Sequence, residues 1–226
     1  MCGFIEAIER SIERIDMIVS SKDKVREEAI KITRDIIRLA GNVITHTLNE
    51  NFDYAEKNLM NLRELVKKLN GIITPHPDIA YSGLVYNAVA EYVEAELLFS
   101  FIKYRRLIEF DELAKIGVHY IPYIHGLCDL VGELKRYGLE LIRKSRFEEA
   151  NHIATIMEHI YHTLRKLIEY PDALVPGLRR KIDVMRRVIE DYITFLLDME
   201  YRDKLIKNLK QFRRHFKTRH KTGFTE

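Results

Sequence analysis

The chain has no tryptophan, and its 226 residues include only 10 glycines, 5 prolines and 2 cysteines. So little glycine and proline excludes a turn-rich all-β protein and a low-complexity or collagen-like chain. Cys2 and Cys128 are too few for a disulfide framework or a multi-cysteine zinc site, which favours a reducing compartment. No apolar run approaches the roughly 18–20 residues that cross a bilayer, and the early charges are not typical of a secretory signal. We therefore expect a cytoplasmic protein that does not associate with a membrane.

Positive charge is concentrated at the C-terminus. The formal net charge is +3, yet the segment from Lys210 to Glu226 alone contains six Lys or Arg residues and one acid. The residues before it are therefore slightly acidic overall. We interpret residues 1–209 as a helical domain and residues 210–226 as a basic tail, which either aids solubility or attracts polyanions loosely.

Apolar residues recur with helical spacing along most of the chain, and no stretch alternates in the way that a β-strand does. Asn70-Gly71 is expected to end one helix, and Ser145 with Glu148 to form a capping box for another. Long helical stretches are predicted at about 20–43, 52–69, 79–103, 123–144, 145–170 and from 176 to beyond 209. The sequence therefore predicts an all-α bundle.

The predicted helix over residues 79–103 is apolar on nearly all sides, which is typical of a helix in the middle of a bundle or at a subunit interface. Glu91 and Glu94 nevertheless share one narrow side of it, and Asn87 and Arg105 continue that line. Burying an unpaired carboxylate is costly, so the pair needs a proton, a basic partner or a metal cation. Arg105, or a Lys or Arg of another helix, is the structural alternative to a metal.

The predicted helix over residues 123–144 contains a second acidic pair. Asp129 and Glu133 are one turn apart, opposite an apolar arc, so their oxygens can converge. A charged face opposite an apolar one is commonly just solvated. Gly126 and Gly132 lie on or beside this face, although glycine costs a helix roughly 1 kcal/mol relative to alanine. Close approach of another backbone or of a ligand would explain them.

Four carboxylates without cysteine or a ring of histidines suit Mg²⁺ or Mn²⁺ better than Zn²⁺. A water bound to such an ion can attack a phosphate while the ion stabilises the developing charge. The pattern therefore points to phosphodiester hydrolysis, although acids at these spacings are common on helices. The candidate metal ligands are Glu91, Glu94, Asp129 and Glu133.

These residues also resemble the motifs of a known family. Glu91-Tyr-Val-Glu94-Ala, followed further along by Asp129-Leu-Val-Gly-Glu133-Leu-Lys-Arg, is similar to the paired motifs of the translin family in its TRAX (translin-associated factor X) branch. Translin itself departs from the second motif, because it lacks the Asp and Gly found here.

The resemblance extends to Thr33-Arg-Asp35-Ile and to a helix at about residues 178–197. It implies a fold of about seven long helices and a closed, shell-like oligomer, an octamer in the family, that binds single-stranded RNA or DNA. TRAX ordinarily works with translin. A homo-oligomer and an assembly with a second translin-family subunit are therefore both expectations.

The resemblance further implies a Mg²⁺-dependent endoribonuclease that acts on single-stranded RNA. Its catalytic acids correspond to Glu91, Glu94, Asp129 and Glu133. Two alternatives stay open: a translin-like protein that binds single strands without cutting them, and a di-metal oxidase of the ferritin-like type. The second alternative needs two Glu-x-x-His motifs, and only Glu149 with His152 provides one.

Basic and aromatic side chains provide candidates for contacts with nucleic acid. Lys31, Arg34 and Arg38 lie roughly along one side of the first long helix, where they could contact RNA phosphates. A solvated charged face is the commoner explanation for such a row. The twelve tyrosines, Tyr120 and Tyr123 among them, could stack on bases, although most are expected to pack in the core and at subunit contacts.

Overall fold

The computed structural model describes the backbone of residues 2–221 and the side chains of residues 3–213, and every regular element among them is helical. This confirms the predicted all-α fold. None of the described helices is apolar over a length that could cross a membrane. A short 3₁₀ helix at Lys166–Glu169 follows the seventh of the α-helices. These are α1 (Cys2–Leu48), α2 (Phe52–Ile73), α3 (Pro77–Ala80), α4 (Gly83–Tyr104), α5 (Phe110–Ala114), α6 (Tyr120–Arg143), α7 (Phe147–Arg165) and α8 (Leu178–Lys221).

The chain divides into two compact units, and the division falls inside α6. The first unit comprises Met1–Leu130 and Ile168–Leu178, and the second comprises Val131–Leu167 and Arg179–Glu226. The expected division into a helical domain (1–209) and a basic tail (210–226) stays a prediction. The backbone of α8 is helical as far as Lys221, and residues 222–226 lie outside the described part of the chain.

Helix α1 starts well before the predicted stretch. Its residues 3–24 are exposed, and the core-facing stripe begins only with Ala29. From there the predicted spacing of three and four residues places one side of the helix in the core, against α2 and α4. The fully or almost fully buried side chains of this stripe are Ala29, Ile32, Ile36, Ala40 and Val43.

Two predicted helix ends are wrong. Helix α2 continues past Asn70-Gly71 to Ile73, because Ile73 is buried and keeps the last turn against the core. Ser145 does not cap α7; it has a left-handed backbone with φ of 58° and ends α6. The amide of Arg146 bonds to the Leu141 carbonyl at 2.9 Å, as in a Schellman motif.

Helix α4 has a buried, central position in the first unit, as its composition predicts. Fourteen of its 22 residues are buried, and they lie on all sides of the helix. The predicted stretch over 79–103 is nonetheless interrupted, since Tyr81 and Ser82 separate α3 from α4. Ser82 is extended, with ψ of 151°, and precedes the first residue of α4.

Helix α6 packs very closely on α4 at Gly126. A β-carbon at this position would lie 2.6 Å from Cγ1 of Val93 and 3.0 Å from the carbonyl oxygen of Ala90. Only glycine therefore allows this separation of the two helices. The expectation of close backbone approach is thus met at Gly126 but not at Gly132, where nothing lies within 4 Å of a β-carbon.

The second unit is organised around Tyr192 of α8. This side chain is fully buried, and its hydroxyl donates a hydrogen bond of 2.9 Å to the carbonyl oxygen of Ala150 in α7. Gly138 of α6 makes room for the ring, because a β-carbon there would lie 2.5 Å from Cζ of Tyr192. One tyrosine thereby connects the three helical segments of this unit.

We expect Gly126→Ala to destabilise the fold by about 1–3 kcal/mol, the usual cost of adding atoms to a packed core. The new methyl group would collide with Val93 and with the backbone of Ala90. Thermal unfolding measures the effect as a lower midpoint. Gly132→Ala is the matched control on the same helix; it meets open space and should stabilise by up to about 1 kcal/mol. A Gly126→Ala variant as stable as the wild type would contradict the packing.

Candidate functional site

The acidic pair on α4 runs from the protein surface into the core. Asn87 is exposed, Glu91 is half-buried and Glu94 is only 7% exposed. Glu91 and Glu94 both interact with other residues of the chain. Arg105 lies eleven residues after Glu94, about 16 Å along a helix axis, and its guanidinium stands over the ring of Phe101. Arg105 as the basic partner of the acidic pair stays an alternative to a metal.

Asp129 lies near the place where α6 meets α4. It is half-buried and follows Gly126 by three residues, so the two share one side of α6. Glu94 follows Val93 directly, and Val93 is the side chain that Gly126 contacts. The close contact of the helices therefore lies within one turn of Glu94 on α4 and of Asp129 on α6.

Glu133 belongs to the second unit, one turn further along the same helix. Its carboxylate is bound by Arg136 at 2.7 Å and 3.0 Å. The Glu133 side chain is 16% exposed and that of Arg136 is 58% exposed. Glu133 thus has a basic partner on its own helix, which the sequence interpretation did not consider.

Among the described residues, no three Asp, Glu, His or Cys side chains are grouped closely enough to hold a metal ion. A complete protein cage of the zinc type is therefore absent from this part of the chain. Mg²⁺ usually binds through one or two carboxylates, with waters and substrate phosphates as further ligands. One or two of the predicted acids would be enough for such an open site. A magnesium site formed by Glu91, Glu94, Asp129 and Glu133 stays a prediction.

The di-metal alternative finds no support in the described residues. Among those residues, Glu149 and His152 have no third Asp, Glu, His or Cys side chain close enough to complete a metal site. The carboxylate of Glu149 is instead bound by the guanidinium of Arg146. His152 is exposed. This segment of α7 therefore has the character of a solvated helix face.

The three basic candidates lie on α1 as predicted, and all are exposed. Arg38 bonds to Asp35 at 3.1 Å. Lys31 borders a groove of about 660 Å³ whose rim also contains Asp23, Glu27 and Glu28. This side of α1 therefore mixes both signs of charge instead of forming a purely basic row. Lys31, Arg34 and Arg38 stay candidates for contacts with nucleic acid.

An ion-pair network that the sequence interpretation missed lies on another side of α4 from the acidic pair. Glu96 is 1% exposed, and its two oxygens accept hydrogen bonds from Nε and Nη2 of Arg63 at 2.5 and 2.9 Å. The hydroxyl of Tyr92 donates to the same carboxylate at 2.8 Å. The hydrogen bonds that Arg63 donates to Glu96 raise the pKa of Arg63. Burial, and next the charge of Glu96, raise the pKa of Tyr92.

No sequence signal pointed to this network, because Glu96 stands in an apolar run and its cation comes from α2. The network lines a cavity of about 460 Å³, to which Lys67 and Arg106 also contribute. Arg106 is itself bound to Glu112 at 2.5 Å. Glu96 and Glu112 are each paired with an arginine, so we interpret the ion pairs around this cavity as structural.

Comparison with known proteins decides the family. The sequence model of the Translin family matches residues 13–202. The chain belongs to the Translin family. A family relative from Methanocaldococcus jannaschii, the uncharacterized protein MJ0175, is 30% identical over 212 residues, which cover 90% of this chain and 92% of the relative.

Solved structures similar to this Translin-family chain share its fold. A crystal structure of AfC3PO and a structure of AfC3PO in complex with duplex RNA match it with TM-scores of 0.75 and 0.76, at 27% and 28% identity. Both matches cover 84% of this chain and 97% of the other. A crystal structure of apo-NeC3PO matches with a TM-score of 0.73 at 24% identity, covering 83% of this chain and 96% of that one.

We expect Arg63→Ala to reduce the free energy of unfolding by about 3 kcal/mol, since it leaves the buried Glu96 carboxylate without its cation. This is the lower end of the usual range, because Arg63 is partly exposed and water can replace it. Tyr92→Phe removes one hydrogen bond and should cost about 1 kcal/mol. Urea unfolding measures both.

The matched control for Arg63→Ala is Arg186→Ala, which breaks an exposed pair with Glu190 on α8. Exposed pairs contribute little, so this change should leave the free energy of unfolding nearly unchanged. Equal effects of Arg63→Ala and Arg186→Ala would contradict a buried role for the network.

Proposed function

We propose that this chain is a TRAX-like member of the Translin family that binds RNA and hydrolyses its phosphodiester bonds with Mg²⁺ or Mn²⁺. The observation that carries the proposal is that α4 and α6 both have acids within one turn of the point where the two helices meet. Glu94 is buried there, and Glu91 and Asp129 are half-buried. The similar protein AfC3PO has been solved with duplex RNA, which supports RNA as the ligand class.

A cation explains why an RNA-binding protein would keep these acids. Carboxylates repel phosphates unless a positive charge lies between them. The proposed ligands are Glu91, Glu94, Asp129 and Glu133, in the small sets that an open site allows. A bound Mg²⁺ would supply an activated water and stabilise charge on the phosphate.

The remaining residues of the proposal bind and position the RNA. Lys31, Arg34 and Arg38 would contact phosphates, which hold a strand in register without reading its sequence. In this proposal the close approach of α4 and α6 at Gly126 would let acids of both helices serve one phosphate. The proposed substrate is single-stranded RNA, with single-stranded DNA as a second ligand to assay.

The assembly is part of the same proposal. We infer a closed homo-oligomer, an octamer as in the wider family, and an assembly with a second translin-family subunit is the alternative. Light scattering of the purified chain distinguishes them, because a homo-octamer forms without any added subunit.

A second candidate function is binding of single strands without cleavage. The pairing of Glu133 with Arg136 favours it, because a carboxylate that is neutralised by its own helix is a poorer metal ligand. The same experiments separate the two functions, since only the enzyme yields products.

We expect labelled single-stranded RNA to be cut in the presence of Mg²⁺ and to stay intact after EDTA is added. Glu94→Gln should slow cleavage about 100-fold or more, since metal charge stabilisation is worth several kcal/mol. Glutamine keeps the size of the side chain but loses the charge. Mn²⁺ binding, followed by calorimetry, should weaken in the same variant.

The control for Glu94→Gln is Glu190→Gln, which changes an exposed acid of α8 and should leave both cleavage and Mn²⁺ binding unchanged. Equal cleavage with Mg²⁺ and with EDTA, or wild-type cleavage by Glu94→Gln, would remove the enzyme assignment. Salt-sensitive binding without products would establish the second candidate.

We expect the combined substitution of Lys31, Arg34 and Arg38 by alanine to weaken RNA binding at low salt. Each lost phosphate contact should make the slope of log affinity against log salt shallower by about 0.7 for a single strand. Fluorescence anisotropy at several salt concentrations measures the slope. Arg186→Ala is the control, and an unchanged slope in the triple variant would place the RNA elsewhere.

A further inference from the structure

Three aromatic side chains meet near the start of α4 and take no part in the function proposed above. Tyr81 precedes α4, Tyr86 lies in its first turn, and His119 lies just before α6. The rings of Tyr86 and His119 are stacked, with their centroids 5.6 Å apart and their planes 7° apart. The ring of Tyr81 is tilted by 58° to both, with centroid distances of 6.3 and 5.6 Å. Tyr81 is 62% exposed. Much of its ring is therefore open to solvent instead of packed in the core.

These rings form one wall of a cavity of about 300 Å³ between the end of α2, α3, the start of α4 and the segment before α6. Most of the other lining residues are apolar, with Ile73, Val89 and Pro122 among them. No Asp, Glu, Lys or Arg of the described chain lines the cavity. Its volume is at the lower end of the range for small-molecule sites. The space therefore suits a small, flat, uncharged group.

A fixed amide group at the cavity wall adds hydrogen-bonding capacity. Nδ2 of Asn70 donates to the carbonyl oxygen of Ile116 at 2.7 Å. Gly117 has φ of +88°, and a β-carbon there would lie 2.5 Å from the same nitrogen. The chain therefore needs glycine at this point to hold Asn70 in place. The other amide hydrogen and the amide oxygen of Asn70 have no hydrogen bond to the described residues.

We propose that this cavity binds an unpaired nucleobase of the RNA, which stacks on Tyr81 and receives hydrogen bonds at its edge from Asn70. The inference rests on the RNA-binding function proposed above and adds a base site to the phosphate contacts. Every base has a stacking face, so the site selects unpaired nucleotides and tolerates different sequences. A side-chain amide offers an adjacent donor and acceptor, which complement a base edge.

The chemistry of the walls excludes the other ligands of this protein class. A phosphate would need Lys or Arg at the wall, and a divalent ion would need carboxylates; neither type of residue lines the cavity. Burial lowers the pKa of His119, so its ring is neutral at pH 7 and adds no charge. A neutral aromatic ring is therefore the occupant that the walls accept without an uncompensated charge.

The test uses a short single-stranded RNA that contains 2-aminopurine, whose fluorescence falls when it stacks. Tyr81→Ala should weaken binding about 10-fold, within the range measured for loss of one stacked base, and should abolish the quenching. Tyr81→Phe keeps the ring and should stay within about 3-fold of the wild type, with quenching intact. Because Tyr81 is exposed, neither change should unfold the chain.

Tyr54→Ala is the matched control. Tyr54 is 67% exposed and is stacked on His46 with centroids 5.6 Å apart, but it does not line the cavity. This variant should bind and quench like the wild type. On a blunt duplex of the same length, Tyr81→Ala should also bind like the wild type, because paired bases cannot enter the cavity.

Two outcomes would overturn the inference, and they differ in what they leave standing. If Tyr81→Ala binds and quenches the single strand like the wild type, the base site is wrong and the RNA-binding function stands. If the wild-type chain does not bind RNA at all, the proposed function fails and the base site fails with it.

Discussion

The burial of α4 is the constraint on which the rest of the first unit depends. A helix that is enclosed on all sides must find a partner for every polar group that it takes inside. Glu96 finds Arg63 and Tyr92, and this requirement positions α2 beside α4. On another side, Gly126 lets α6 approach to contact distance with Val93. The packing of α2 against α4 therefore depends on the ion pair of Glu96, and the packing of α6 against α4 depends on the absence of a side chain at Gly126.

Helix α4 contains acids in two different environments. Glu96 is bound by a guanidinium with two hydrogen bonds, so it serves the fold and has little capacity left for an ion. Glu91 and Glu94 lie on another side, next to the contact with α6, where a second helix brings Asp129. These are the acids to which we assign the proposed divalent ion.

The proposed functional features are concentrated in the first unit. It contains the basic candidates of α1, the acids of α4, Asp129 and the cavity beside Tyr81, whereas Glu133 lies in the second unit. In the proposals above these features contact phosphates, bind a metal ion and stack on a base, three roles that suit a sequence-tolerant RNA-binding enzyme. The second unit is instead organised by packing, with Tyr192 bound to α7 and accommodated by Gly138.

Local periodicity by itself determined most of each long helix and the central place of α4, because contacts three and four residues apart are set by the chain near each residue. Two glycines of α6 indicated a close approach, but only the tertiary structure decided that it occurs at Gly126 and not at Gly132. Only the tertiary structure decided the partner of Glu96, which is 33 residues away. It also decided that α2 continues to Ile73, where burial outweighs the stop signal of Gly71. The cavity beside Tyr81 was equally hidden from the sequence, since Asn70, Tyr81 and His119 meet only when separate segments pack together.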